Sequence, residues 1–99
     1  MKLTSKTKEA FEKWLEQQDI APYKTMFWDI PEIIQSSYII EFFDSVGIYI
    51  CIEPFKEIAR KVYFDVSLDF ELYGVWSTRQ EATDKAIEKA NEIYNNKFA

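Results

Sequence analysis

The sequence predicts an α+β fold: a two-layer domain with a three-stranded antiparallel sheet packed against helices, in the order α-α-β-β-β-α. Three observations carry this reading. A two-residue hydrophobic rhythm runs from Gly47 to Trp76. A capped, alanine-striped helix follows it from Ser77 to Asn95. Two shorter helical patterns precede it. At 99 residues the chain fits one domain, 1–99, able to bury a single core without metals or disulfides.

The first helix is expected over residues 7–18, where Phe11, Trp14 and Leu15 share a face and Glu9 and Lys13 form an i,i+4 pair. Asp19 to Lys24, with Pro22, reads as a loop. A second helix starts at Asp29-Ile30-Pro31-Glu32: Asp29 can cap, and Pro31 suits the first turn. Trp28 and Ile33 are placed to form a hydrophobic staple. From Ile33 to Phe43 the apolar residues cover nearly the whole helical circumference, which predicts a helix buried on most sides, with a short strand at Tyr38–Phe43 as the alternative. Gly47 is the helix stop.

Beyond Gly47, Ile48, Ile50 and Ile52 alternate with Tyr49, Cys51 and Glu53. Pro54 to Arg60 interrupts the rhythm. Val62, Phe64, Val66, Leu68, Phe70 and Leu72 then alternate with Tyr63, Asp65, Ser67, Asp69, Glu71 and Tyr73. Strands average about five to six residues, so this run reads as two strands rather than one bent strand. Its unbroken parity favours a three-residue turn at Ser67-Leu68-Asp69, with Val66 opposite Phe70. In the last helix, Thr78 before Glu81 and Ser77 before Gln80 each have capping-box spacing. Ala82, Ala86, Ile87, Ala90, Ile93 and Tyr94 fall within ~140° of arc, and Glu81, Asp84, Glu88, Asn91, Glu92 and Asn95 point the other way.

A net charge of −5 works against wrapping nucleic acid, which needs lysine and arginine to displace counterions. A single cysteine rules out an intramolecular disulfide, the first residues have no secretory core, and no run approaches ~18 apolar residues. The expected location is therefore cytoplasmic. The chain has no histidine, which removes the commonest general base and metal ligand. Cys51 has no histidine to activate it, so it reads as structural. No catalytic residue, cofactor or metal is expected.

The outward tyrosines Tyr49, Tyr63 and Tyr73, with Trp76 and Arg79 at the sheet's end, are the candidate partner-binding residues. Exposed aromatics anchor protein interfaces, and a first-turn arginine can hold a carboxylate or phosphate. The bland alternative is cross-strand pairing that only stabilises the sheet.

Two resemblances bear on function. Glu41–Ile48 and Thr78–Asn95, with Phe11–Trp14, resemble a group of small uncharacterised proteins from bacterial and bacteriophage genomes. That resemblance implies a phage or prophage origin and no assigned activity. Ser77 to Ala90, after three strands, is similar to the last helix of double-stranded-RNA-binding domains. Those domains grip phosphates with lysines at this helix start, whereas Thr78, Arg79, Gln80, Thr83 and Asp84 stand here. The expectation is a small non-enzymatic interaction or regulatory protein that binds a protein, either a separate partner or a second copy of itself. A nucleic-acid-binding αβββα domain is the first alternative. A metal-dependent enzyme built on Asp65, Asp69 and Glu71 is the second.

Overall fold

A computed structural model describes residues 3–18, 26–58, 60–69 and 71–98, with main chain only at 55–58 and 61. The architecture is α+β in the expected order. Helix α1 (Ser5–Glu16) and a short 3₁₀ turn (Phe27–Asp29) precede helix α2 (Glu32–Ser45). Strands β1 (Ile50–Ile58), β2 (Lys61–Leu68) and β3 (Glu71–Trp76) follow, and helix α3 (Arg79–Lys97) closes the chain. The sheet is antiparallel in the order β1-β2-β3. The expected loop at Asp19–Lys24 and the expected inward Phe70 lie outside the described residues.

Helix α3 forms where its chemistry directs it. Thr78 is the N-cap, its hydroxyl accepting from the Glu81 amide at 3.1 Å. The alanine stripe (Ala82, Ala86 and Ala90, with Ile87) is fully buried. It lets the helix lie close across the sheet, where Val66 of the central strand is also fully buried.

Helix α2 ends in a Schellman motif. Gly47 takes φ +83°, its amide bonds Asp44 O, and the Ile48 amide bonds Phe43 O at 2.9 Å. The start of α2 departs from expectation. Pro31 occupies the cap position and Asp29 instead closes the 3₁₀ turn, so the helix starts two residues later than expected. No staple forms: Ile33 is 71% exposed and Trp28 turns back onto Phe27 and Phe11. The stretch Tyr38–Phe43 is helical, and burial is confined to Ile39, Phe42 and Phe43 among its large apolar residues. A helix in a two-layer fold has only one side to bury.

The sheet corrects two expectations. Pro54 to Ile58 continues β1 across a bulge between Pro54 and Lys56. An edge strand tolerates a proline that a central one would not. The β2–β3 connection is two residues, since Leu68 pairs with Glu71, and Asp69 adopts φ +52°. Val66 lies opposite Gly74, not Phe70. The parity is instead shifted by a second bulge, in which Tyr73 is the extra residue between Leu72 and Gly74. Leu72, expected inward, is therefore opposite Ser67 and 64% exposed. Val62, also expected inward, is 41% exposed.

The helical layer is joined by aromatic rings around fully buried Phe11, which lies 5.2 Å from Phe27, 5.6 Å from Phe42 and 5.8 Å from Trp14 between ring centres. A polar seam ties α1 to α3. The side chain of Thr4, at the N-cap of α1, makes no capping bond to its own first turn. Asn95 of α3 supplies the cap instead, its Oδ1 accepting from the Thr7 amide at 3.0 Å and the Thr7 hydroxyl at 2.8 Å. Asn91 Oδ1 accepts from the Thr4 amide at 2.9 Å, and both asparagine amides donate to Thr4 Oγ1. Asn91 and Asn95, expected on the solvent side, are therefore half-buried structural groups. No described helix is long and apolar enough to cross a membrane.

Candidate functional site

The structure distributes the five sequence-predicted residues over two sides of the sheet. Tyr49 and Tyr63 are on the side away from α3. Tyr49 leads into β1 and is 49% exposed, and Asp69 fixes it by accepting the Tyr49 amide at 3.0 Å. Tyr63 lies opposite Lys56 and is half-buried. The bulge turns Tyr73 the other way. Its ring is 5.4 Å from that of Trp76, with Lys89 Nζ of α3 5.9 Å from its centre. Trp76 lies opposite Phe64, on the helix-covered side, and its ring occupies the space where a Cβ at position 74 would stand, 2.6 Å away. Arg79 is on this side too, its guanidinium 4.8 Å from the Phe64 ring centre.

The open side holds a row of polar groups. Glu53 and Asp65 are direct cross-strand partners, an arrangement of like charges that costs stability. Cys51, one row along, is exposed and donates to Glu53 Oε1 at 3.4 Å. Desolvation first, then that hydrogen bond and the charges of Glu53 and Asp65, push its thiol above the ordinary value. This makes the thiolate scarcer near neutrality, the reverse of what a nucleophile needs. The three carboxylates expected to share a face do not: Asp69 is held in the turn by Tyr49, and Glu71 pairs with buried Leu68 on the opposite side from Asp65. Among the described residues no group of three or more Cys, Asp or Glu side chains is placed to hold a metal ion.

Among the described residues, a groove of about 320 Å³ lies between α2 and the first turns of α3. Its α2 wall is Ile33, Ser36, Ser37 and Ile40, and its α3 wall is Arg79, Gln80 and Thr83. The polar residues of these walls donate within their own helices. Ser36 Oγ donates to Glu32 O at 2.8 Å, Ser37 Oγ to Ile33 O at 3.2 Å and Thr83 Oγ1 to Arg79 O at 2.8 Å. Gln80 Nε2 donates to Asp84 Oδ1 at 3.0 Å. The groove is thus lined mostly by apolar surface, with polar side chains that already have partners and one cation, Arg79. Among the described residues no carboxylate forms a salt bridge with Arg79.

Of the residues lining this groove, the sequence singles out Arg79 as a candidate and does not single out Ile33 or Ile40. The signal was present: seven apolar residues spread around one helix are more than a single sheet and two neighbouring helices can cover. The surplus had to appear at the surface.

The chain matches no family model, no curated protein and no solved structure.

Proposed function

We propose that this chain is a small non-enzymatic interaction protein that holds an apolar, acid-bearing segment of a protein partner in the groove between α2 and α3. The observation that carries the reading is Ile33, 71% exposed at the rim of a groove whose one cation is Arg79. Large exposed aliphatics grouped beside a concavity mark interaction sites more often than scattered single ones do. Ile34, at 42% exposure, extends the patch on the same helix. The arginine gives the surface its sign: an apolar segment carrying an aspartate, a glutamate or a chain-terminal carboxylate matches it. The lack of histidine and the raised Cys51 thiol support a binding role over a catalytic one.

The test is affinity capture from native lysate with the wild-type chain, Ile33→Asp, Arg79→Glu and Tyr49→Ala as parallel baits. A partner held in stoichiometric amount by wild type and Tyr49→Ala, and lost by the other two, is the expected result. Equal capture by all four baits, or by none, overturns it.

A further inference from the structure

The two edges of the sheet are built differently. Strand β1 is blunted by Pro54, which has no amide hydrogen, by a bulge at the next residue, and by the charge of Glu53. Strand β3 reads Glu-Leu-Tyr-Gly-Val-Trp, with no proline, no lysine and one acid. It pairs with β2 on one side and with no strand on the other among the described residues. Leu72, Tyr73 and Val75 on it are 64%, 42% and 40% exposed.

A bulge ordinarily spoils an edge for pairing. Here it does something else. Glu71, opposite Leu68, lies on the helix-covered side, and Leu72, opposite Ser67, on the open side. Tyr73 is turned toward α3, Gly74 lies opposite buried Val66, Val75 opposite Asp65, and Trp76 opposite Phe64. The order of sides is thus covered, open, covered, covered, open, covered, which is the same in both directions about the Tyr73–Gly74 bond. A regular strand alternates without interruption and can pair with its own copy only about a residue, because directly opposed residues share a face.

From this symmetry we infer that β3 pairs antiparallel with β3 of a second copy of this chain, joining two sheets into one of six strands about a two-fold axis. The inference is independent of the groove. Its register places Leu72 against Val75 of the second copy, twice, merging the exposed aliphatics of the two open faces. It sets Tyr73 against Gly74, over which the Trp76 ring already lies, so that the two Tyr73–Trp76 ring pairs adjoin on the covered side. It also puts each Glu71 against a tryptophan, so that the two acids lie at opposite ends. Isologous contacts of this kind are the commonest way for a chain to close on itself.

Disulfide trapping tests the register on the full-length chain carrying Cys51→Ser. Leu72→Cys with Val75→Cys brings opposed Cα atoms to about 5 Å across the pair, within disulfide reach. Within one chain the same two positions are about 10 Å apart, too far to bridge. Oxidation is expected to double the mass from 11.8 kDa. Leu72→Cys alone is expected to stay single, because its copy lies about three residues along the strand. Sedimentation equilibrium of the unaltered chain should show a dimer that tightens with added salt, since each copy carries −5. Val75→Lys should weaken that dimer roughly tenfold or more while leaving the melting temperature of the monomer unchanged. A monomer from micromolar to near-millimolar concentration overturns the proposal. So does cross-linking by Leu72→Cys alone at the rate of the double variant.

Discussion

Helix α3 meets the other two helices along seams of opposite character. Against α1 the contact is polar and closed: Thr7 is fully buried, and its amide and hydroxyl both bond Asn95. Against α2 the contact is apolar and open: Ile33 is 71% exposed, and the hydroxyls nearby bond their own helices. Closed polar seams are specific because a buried donor without a partner costs the full penalty of its desolvation. Open apolar seams make no such demand, and they leave hydrocarbon in water that a partner can cover. One helix therefore serves as a fixed joint along its second half and as a wall of an open apolar groove along its first.

The largest effect that tests this contrast is on the closed side. Phe11 is wholly buried on α1, in ring contact with Phe27, Trp28, Trp14 and Phe42. Phe11→Ala is expected to cost about 3–5 kcal/mol of folding stability, measured by urea unfolding. A loss under about 1 kcal/mol would mean that α1 is an appendage and the seam is not a joint.

Next comes the polar network itself. Asn95→Ala removes the acceptor of the Thr7 amide and hydroxyl and a donor to Thr4. The expected cost is about 1–3 kcal/mol. Thr7→Val removes the hydroxyl alone, and the double variant should depart from additivity by roughly 0.5–3 kcal/mol because the two side chains share bonds. Strict additivity would show that the network does not act as a unit.

The two seams were unequally legible in the sequence. The alanine stripe of α3 is a pattern within nineteen residues, and Ala82, Ala86 and Ala90 are buried as the helical period requires. The alternation of β1 and β2 is equally local, and Ile48, Val66 and Leu68 are buried accordingly. Asn91 and Asn95 look like solvent-facing residues because their partners, Thr4 and Thr7, lie 84 to 91 positions away. No local pattern carries that pairing. The bulge at Tyr73 was hidden for another reason: an inserted residue leaves the composition of a strand unchanged and alters only which side each residue takes. Of the groove, Arg79 was visible as a first-turn arginine, whereas Ile33 was masked by a helix apolar all round.

A smaller effect separates the helix from its seams. Thr78→Ala deletes the hydroxyl that accepts from the Glu81 amide at the start of α3. Loss of such a cap costs about 1 kcal/mol. Both seams share this helix, so the change should lower global stability without altering what the wild-type chain captures in the bait experiment. Unfolding and capture measured on the same variant check both halves.

The smallest expected effect is the most telling one. Ile33 and Ile39 lie on the same helix, six residues apart, one 71% exposed and the other fully buried. Ile39→Ala should cost about 2–5 kcal/mol, as a vacated core position does. Ile33→Ser should stay within about 0.5 kcal/mol of wild type, because the side chain it replaces already meets water. If the open seam is a binding wall, the Ile33 change is silent in unfolding and visible only when a partner is present. A cost at Ile33 approaching that at Ile39 would mean that the seam closes in solution, and the distinction between the two sides of α3 would be lost.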